Sequence, residues 1–277
     1  MKLAMTLLVR DEEDIVAANI EYHLARGVDV IYVTDNRSVD ATLEILRGYE
    51  STGELRVLLE PADDYSQWKW VTRMARLAAA DGADWVINSD ADEFWWPRQA
   101  DDLKQVFATL PPEVGGLRVA RHNFAPRPLH ERPFFERMTL RDLDSRNALG
   151  NPLQRKMAHR ADPDVTVKMG NHRVNGPRLG KRVRSDEIEI LHFPMRTYEQ
   201  FENKIVKGGR ALAANTELPP GKGSTWRHLY ELWQRGKLRE HYEAAVVSDG
   251  NAPNGHVEDT RLSDFLAEHA KLTAGAR

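Results

Sequence analysis

Two carboxylates in residues 88–94 are the side chains of this sequence best suited to chemistry. Asp90 and Asp92 stand two positions apart within this motif, which directly follows residues 84–87, a short segment typical of a buried strand. If the backbone leaves the strand there, both carboxylates can turn toward one point. Oxygen ligands of this kind suit Mg²⁺ or Mn²⁺, which keep open positions for substrate phosphates. For the motif alone, a solvated acidic turn is the alternative.

A second polar motif covers residues 34–42, after another strand-like segment and at the start of a helical pattern. Asp35 stands where that strand should end, so its carboxylate is placed to accept hydrogen bonds from a ribose or a base. Ser38 and Asp40 are both of a type that caps helices. A capped turn without a ligand is the alternative.

Both motifs depend on an alternation of strands and helices over residues 1–121. Apolar or β-branched segments predict strands at residues 3–9, 28–34, 55–59, 85–88 and 116–120. Helical spacing between them predicts helices at residues 15–24, around 43–46 and at 68–80. This alternation predicts βαβ units and a mostly parallel α/β sheet, in which ligands bind beyond the carboxyl ends of the strands.

The second half of the chain is less regular. Residues 122–185 are rich in Arg, Pro, His and Asn and predict long loops with a few strands, and residues 187–193 alternate as a strand does. A helix is predicted at residues 198–212. Three aromatic residues with helical spacing follow a flexible loop: Trp226, Tyr230 and Trp233. Their spacing favours packing onto the domain, with peripheral membrane contact as the alternative.

Composition excludes several classes of protein. The chain has 277 residues, of which 41% are hydrophobic and 29% are charged, as in globular proteins with a sizeable core. It has no cysteine, which excludes disulfides, thiolate metal sites and a cysteine nucleophile. No apolar run approaches the roughly 20 residues of a transmembrane helix, and the apolar run at residues 3–9 is too short for a signal peptide. We therefore expect a cytoplasmic protein.

Charge is distributed unevenly along the chain. The net charge is −11 over residues 1–117, +10 over residues 118–184 and −2 over the remainder. An acidic half beside a basic middle suits a site that holds a metal cation and a phosphorylated ligand. We expect no nucleic-acid partner, because nucleic-acid binding would require aromatic residues interleaved with the basic stretch, and few are present there.

The motifs together resemble those of family 2-type glycosyltransferases with a GT-A fold, in the subgroup close to family 92 glycosyltransferases. The matching segments, in the same order and spacing, are residues 8–13, 35–42 and 84–94. The resemblance is strong over residues 1–121, patchy to about residue 210 and absent beyond.

The resemblance implies a GT-A-like domain over residues 1–212. Its first part, residues 1–121, would bind the nucleotide-sugar, and residues 122–212 would form the acceptor and diphosphate side. Residues 213–277 would form a loop and a helical C-terminal extension.

The same resemblance implies transfer of a sugar from a nucleotide-diphospho-sugar, most often a UDP-sugar, with inversion at the anomeric carbon. The acceptor, whether a glycan, a lipid-linked molecule or a small molecule, is not specified. Asp90 and Asp92 would form the Asp-X-Asp motif that holds the diphosphate through Mn²⁺ or Mg²⁺. Asp35, Arg10 and Lys69 would lie against the nucleoside. The full set of expected substrate contacts is Leu8, Arg10, Asp35, Asn36, Lys69, Ser89, Lys156 and His172.

Two histidines are candidates for a third metal ligand, which members of this fold often take from late in the domain. His192 ends a predicted strand, whereas His172 lies in a turn after Gly170. Because a ligand must be held in place, the strand position favours His192 as the ligand and leaves His172 nearer the acceptor or diphosphate.

Several basic residues are available to neutralise a departing diphosphate. Lys156 is favoured by its place in the family-like pattern. The others are Arg155, Lys168, Arg173, Lys181, Arg182, Arg184 and Arg196.

The catalytic base and the sugar contacts are less constrained by the sequence. Glu136 is the favoured base, ahead of Asp142 and Asp144 in the same region, and Glu93 is a supporting candidate beside the metal motif. The aromatic residues at 95–96 either stack on a sugar or cover the sheet.

Two other functions use similar residues. A metal-dependent nucleotidyltransferase or pyrophosphatase would use the same carboxylates, but nucleotidyl transfer favours a glycine-rich basic loop after the first strand, and residues 10–14 are acidic and lack glycine. A non-catalytic nucleotide-sugar-binding module is the other alternative.

Overall fold

The computed structural model describes residues 1–128, 132–219, 221–248, 250 and 252–275. The strands within these residues are β1 (Leu3–Val9), β2 (Val30–Asp35), β3 (Leu55–Leu59), β4 (Trp85–Asp90), β5 (Glu93–Pro97), β6 (Val114–Asn123), β7 (Leu140–Asp142), β8 (Lys156–Arg160), β9 (Thr166–Val167), β10 (Val174–Asn175), β11 (Lys181–His192) and β12 (His256–Glu258). The helices are α1 (Val16–Ala25), α2 (Thr42–Glu50), α3 (Gln67–Ala80), α4 (Leu103–Ala108), α5 (Phe134–Arg137), α6 (Tyr198–Ala214), α7 (Ser224–Gln234), α8 (Leu238–Ala245) and α9 (Arg261–Gly275).

Eight of these strands form one sheet in the order β3-β2-β1-β4-β8-β6-β11-β5. Strands β1 to β4 are parallel to one another, β8 runs antiparallel between β4 and β6, β11 is parallel to β6, and β5 is the antiparallel edge strand beside β11. Six strands therefore run in one direction. The predicted mostly parallel α/β fold is confirmed, and β1, β2 and β4 end at the same edge of the sheet.

Helices cover both faces of the central strand β1, so its side chains alternate between two cores. Met5 packs in the cluster that contains Ile20 of α1, whereas Ala4 packs in the cluster that contains Met74 of α3. Burial on both faces explains why the strand has a continuous apolar sequence. The strands therefore form a rigid support for the polar residues at the ends of β1, β2 and β4.

Strand β5 was not predicted, because all five of its residues are buried and no alternation marks it. Trp95 is fully buried and Trp96 is 8% exposed, and Tyr22 of α1 stacks on the Trp96 ring. Of the two interpretations for these tryptophans, packing against the sheet is the one observed. The acidic motif thus lies in a tight connection between two buried strands.

The aromatic residues of α7 pack against α6, as the helical spacing predicted. A Cβ atom at Gly208 would lie 2.4 Å from the Trp226 ring, and one at Gly209 would lie 2.4 Å from the Tyr230 ring. The two glycines therefore allow the rings to approach the α6 backbone. Among the described residues, no helix is long and apolar enough to span a bilayer.

Two fully buried histidines, His23 and His159, predict that stability decreases in acid. Burial lowers the pKa of each to about 4, whereas the unfolded chain binds the proton at the ordinary value of 6.5. Their contribution to the free energy of unfolding is therefore complete above pH 6.5 and is lost as the pH falls toward 4. The expected slope is up to about 1.4 kcal/mol per pH unit for each histidine.

Denaturant titrations between about pH 6.5 and 5 would measure this slope. His23→Gln keeps a hydrogen-bonding side chain at this position but does not titrate, so its slope should be smaller than that of the unaltered protein. Equal slopes would contradict the assignment to His23.

Candidate active site

The carboxyl ends of three parallel strands bring the two sequence motifs together. Leu8 near the end of β1 is in register with Thr34 on one side and Asp90 on the other, and Val9 is in register with Asp35. On the far side of the sheet, His192 at the end of β11 is in register with Glu93, the first residue of β5. The polar residues after β1, β2, β4 and β11 therefore lie along one edge.

Asn19 of α1 holds the backbone of the connection that carries the acidic motif. The Asn19 amide donates hydrogen bonds to the backbone oxygens of Ala91, at 3.0 Å, and Glu93, at 2.9 Å. Asn19 is fully buried, and its Oδ1 accepts from the ring of His23. The core therefore determines where the backbone between Asp90 and Glu93 lies.

Asp92 and His192 face each other, with 3.6 Å between Asp92 Oδ1 and His192 Nε2. The other ring nitrogen, Nδ1, lies 2.7 Å from Asn123 Oδ1, and the Asn123 amide nitrogen donates to the Arg146 carbonyl. This second bond fixes the orientation of the amide, so His192 Nδ1 must carry the proton that Asn123 Oδ1 accepts.

The remaining nitrogen of His192 is unprotonated. Burial lowers the pKa of His192 to about 3, although the Asp92 carboxylate acts in the opposite direction. The lone pair of Nε2 and an oxygen of Asp92 thus face each other without a proton between them. Two acceptors in this arrangement fit a cation, and a neutral histidine whose other nitrogen is hydrogen-bonded is typical of metal ligands.

Glu93 adds a third potential ligand atom to this pair. One atom each from Asp92, Glu93 and His192 lies within 4.8 Å of the others. A mixed set of carboxylates and imidazole suits Mn²⁺, so the residues present fit the metal that the family resemblance implies.

Lys156 is almost fully buried between two carboxylates of the motif. Its ammonium contacts Asp90 Oδ2 and lies 3.2 Å from Glu93 Oε1. Burial alone would raise the pKa of Asp90, but the Lys156 ammonium lowers it below its ordinary value. The predicted partner of the diphosphate therefore lies directly beside the acidic motif.

Glu93 has no exposed surface, and both its oxygens are held by the protein. Oε1 lies 3.2 Å from Arg121, and Oε2 accepts from the Asp90 backbone N–H at 3.2 Å. Burial raises the pKa of Glu93 to about 7 despite the nearby Lys156. This arrangement suits Glu93 to positioning Asp90. Ser89 is buried as well, and its hydroxyl lies 3.3 Å from the Glu93 backbone oxygen.

Asp35 offers an unused acceptor at the other end of the site. One oxygen, Oδ1, accepts from the Ser38 backbone N–H at 3.2 Å, and the other, Oδ2, is buried without a partner among the described residues. An unpaired buried oxygen is costly, so it is a natural position for a ligand hydroxyl or N–H group. The neighbouring Asn36 has a structural role, because its amide donates to the backbone oxygens of Glu60 and Ala62.

Two other expected nucleoside contacts are engaged in ion pairs. Arg10 pairs with Asp63 at 2.5 Å, and Lys69 pairs with Glu217 at 2.7 Å. The Lys69 side chain is 49% exposed. The Lys69 pair connects α3 to the loop between α6 and α7, so that loop reaches the nucleoside side of the predicted site.

The turn that contains His172 lies against Asp90. Asn171 adopts a left-handed backbone conformation, with φ of 61°, and its amide donates to Asp90 Oδ1 at 3.1 Å. The His172 Nδ1 lies 3.0 Å from the Arg155 backbone oxygen. Burial lowers the pKa of His172 to about 3, with the Lys156 and Arg121 cations adding to the effect. His172 is therefore a neutral ring beside the Asp90 half of the motif.

The family model that describes glycosyltransferase family 92 matches residues 4–218, more than half of the chain. The chain belongs to glycosyltransferase family 92. This assignment and the observed sheet confirm the family resemblance and the GT-A-like α/β architecture, and the protein is therefore an enzyme that transfers a sugar. A comparison with curated proteins gives no match.

Solved structures similar to this glycosyltransferase include S. aureus TarS 1–349, with 15% identity, a TM-score of 0.48, and coverage of 89% of this chain and 83% of that chain. TarS 1–349 in complex with UDP-GlcNAc has 13% identity and a TM-score of 0.48, covering 89% and 84%. Glucosyl-3-phosphoglycerate synthase from Mycobacterium tuberculosis, in complex with Mn²⁺, UDP and phosphoglyceric acid, has 18% identity and a TM-score of 0.31, covering 43% of each chain.

Some basic residues of the glycosyltransferase do not lie where a diphosphate partner should. Arg196 is fully buried and donates to Glu12, Asp14 and the Phe193 backbone oxygen, so the expectation that it is available to phosphate is wrong. Three others lie at the beginning of β11, where the register on β6 places them opposite residues 114–118, five or more positions before the partner of His192 and therefore on the order of 15 Å or more from it: Lys181, Arg182 and Arg184.

Glu136 is exposed on the short helix α5, and its backbone N–H donates to the Pro133 oxygen. The preceding Phe134 packs its ring against Phe94 and Phe193, the residues that follow Glu93 and His192 in the chain. Helix α5 therefore lies near the ends of β5 and β11, at the edge of the sheet that carries the acidic motif. None of the contacts described joins Glu136 to the acidic motif, so its role as the base stays a prediction.

Sequence reasoning missed four polar residues that complete the site. Each contacts a member of the acidic motif or the ring of His192: Arg121, Asn123, Asn171 and Lys204. Only Asn171 had a local signal, because it stands between a glycine and the candidate histidine. The others meet their partners only through sheet pairing or helix packing.

Proposed function

We propose that this family 92 enzyme transfers a sugar from a nucleotide-diphospho-sugar to an acceptor hydroxyl, with a divalent metal ion and with inversion. The observation that carries the proposal is the pair of facing acceptors on Asp92 and His192, at one edge of the sheet with the unpaired oxygen of Asp35. The family resemblance makes UDP the first nucleotide to test. Membership of the family favours this reaction over nucleotidyl transfer or diphosphate hydrolysis.

The nucleoside would bind over the ends of β1 and β2. Asp35 supplies a buried acceptor there for an N–H or hydroxyl group of a nucleoside. Leu8 is half-buried near the end of β1 and pairs with Thr34, the residue before Asp35.

The diphosphate would lie over the acidic motif. Asp92 and His192 would hold the metal ion, with Asp90 as a further ligand, and Mn²⁺ or Mg²⁺ would neutralise the charge that develops on the leaving group. Lys156 provides a fixed positive charge at the same place, because its buried side chain cannot turn away.

Transfer would proceed as a single displacement. The acceptor oxygen forms a bond to the anomeric carbon while the bond from that carbon to the diphosphate oxygen breaks, which inverts the configuration. A base takes the proton of the attacking hydroxyl. We propose Glu136 for this role because it is exposed to solvent on a helix that packs at the edge of the sheet that carries the acidic motif.

A donor panel tests the proposal as a whole. The enzyme is incubated with UDP-, GDP- and dTDP-sugars and Mn²⁺, and the release of free nucleotide diphosphate is measured. Release from one class of donor supports the proposal, whereas an enzyme that neither binds nor cleaves any of them contradicts it.

Replacing Asp35 should weaken nucleotide binding without unfolding the enzyme. Asp35→Ala removes an acceptor for a charge-assisted hydrogen bond, which contributes roughly 1.5–3 kcal/mol, so UDP affinity should fall about 10- to 100-fold. Calorimetry measures the affinity, and the melting temperature reports the fold. Asp101→Ala, at an exposed aspartate before α4, is the matched control. A lower melting temperature with unchanged affinity would make Asp35 a structural residue.

Metal dependence should separate the two histidines. His192→Ala and Asp92→Asn should each weaken UDP binding in the presence of Mn²⁺, because each removes a ligand. His172→Ala should reduce transfer with a smaller effect on UDP affinity. Calorimetry with UDP, with Mn²⁺ and after chelation, makes the comparison. Asp92→Ala should lower turnover by about 10² or more.

The metal assignment has two ways to fail. If chelation leaves UDP affinity unchanged, the enzyme does not bind the nucleotide through a metal ion. If His172→Ala abolishes the Mn²⁺ dependence and His192→Ala does not, the two roles must be exchanged.

Replacing the proposed base should affect the chemical step alone. Glu136→Gln cannot accept a proton, so UDP release from the active donor should fall by about 10²–10⁴ while UDP affinity stays the same. Asp142→Asn, at the alternative position, is the control. Loss of activity in Asp142→Asn with an active Glu136→Gln would move the base to Asp142.

A further inference from the structure

We propose that Lys204 exchanges partners during the reaction: it neutralises Asp92 before the donor binds and contacts the donor diphosphate once a metal ion is bound to Asp92. This inference rests on the proposed function and identifies a further residue that binds the donor. Lys204 is in α6, outside every motif that the sequence singled out.

Lys204 occupies the side of Asp92 that His192 leaves open. Its ammonium lies 2.6 Å from Asp92 Oδ2, whereas His192 Nε2 faces Asp92 Oδ1. A second carboxylate oxygen, Glu12 Oε1, lies 3.4 Å from the same ammonium. The ammonium is thus the cation that compensates Asp92 in the structure.

A divalent ion and the ammonium would compete for this carboxylate. Two cations on neighbouring oxygens of one carboxylate repel each other, and the low dielectric of a buried site strengthens the repulsion. Binding of a metal ion to Asp92 and His192 therefore favours a conformation in which Lys204 has moved away.

Lys204 is able to move, in contrast to Lys156. The Lys204 side chain is 22% exposed, and that of Lys156 is 1% exposed. Its second partner, Glu12, does not lose its compensation when Lys204 leaves, because Arg196 donates to Glu12 Oε2. The flexible four-carbon stem of lysine allows the ammonium to follow a negative charge nearby.

The donor brings that negative charge. The diphosphate of a nucleotide-sugar would bind beside the metal ion. Because the two carboxylates already balance the charge of a divalent ion, the diphosphate adds negative charge that the metal ion does not compensate. After its displacement from Asp92, the Lys204 ammonium would contact the phosphate oxygens of the donor. Lys204 would then stabilise the diphosphate leaving group, which it does not contact before the donor binds.

This exchange predicts opposite effects of one substitution on two ligands. Lys204→Met keeps the length of the side chain and removes the charge. Mn²⁺ alone should bind about tenfold more tightly, because its competitor is gone, and UDP in saturating Mn²⁺ should bind about tenfold more weakly, because a charge-assisted contact is lost. Electron paramagnetic resonance of free Mn²⁺ measures the first affinity, and calorimetry measures the second.

Lys207→Met is the matched control on the same helix. Lys207 pairs with Asp11, which also accepts hydrogen bonds from Asn203 and from the backbone of Val39, and it does not contact Asp92. This variant should leave the affinity for Mn²⁺ alone unchanged. Lys204→Arg, which keeps the charge, should restore the binding of UDP with Mn²⁺.

The outcomes separate this inference from the proposed function. If Lys204→Met lowers both affinities or changes neither, while the unaltered enzyme still binds UDP with Mn²⁺, Lys204 is a structural ion-pair partner and the exchange is wrong. If the unaltered enzyme does not bind UDP with Mn²⁺, the proposed function fails and this inference fails with it.

Discussion

A buried guanidinium group joins the two parts of the chain from which the candidate site is built. Arg196 follows β11 and has no exposed surface, and it pairs with Glu12 and Asp14 in the loop after β1. Removing one partner of such a buried pair costs about 3–5 kcal/mol, because the other charge is left uncompensated. His192 and Lys204 lie a few residues before and after Arg196. Together with the pairing of β11 and β5, this interaction therefore holds the late segment of the chain against the carboxylates of the first half.

Around that link, each carboxylate of the acidic motif contacts a cation. Asp90 pairs with Lys156 and Asp92 with Lys204, and Arg121 is a second cation at Glu93. The excess of acidic residues in the first half and of basic residues in the middle of the chain has a direct structural meaning here. Arg121 and Lys156 come from the basic middle, and they compensate acidic residues that follow β4. Much of the charge that suggested a phosphate ligand is thus used inside the protein.

The features that the sequence predicted most accurately are those that depend on the order of the strands. Asp35 and Asp90 were placed correctly at one edge, because residues that follow neighbouring parallel strands must meet there. Strand β5 was missed because burial of every residue removes the alternation that marks a strand. Lys204 was missed for a different reason: a lysine on an amphipathic helix has the pattern of a solvated residue, and its partner is 112 positions away. Arg196 was assigned to phosphate because the sequence does not distinguish a buried arginine from an exposed one.

The hydrogen bonds from Asn19 to the backbone of residues 91 and 93 connect the acidic motif to α1, and this connection limits which parts of the enzyme can change during evolution. A substitution that moves α1 also moves the acidic motif, so the proposed donor end of the site cannot change without repacking the core. Among the described residues between β6 and β8, none accepts a hydrogen bond from α1 or donates one to it, and this segment includes the region where the acceptor is expected. Evolution or directed selection for a new acceptor would therefore act on that segment, whereas the donor end would be inherited almost unchanged.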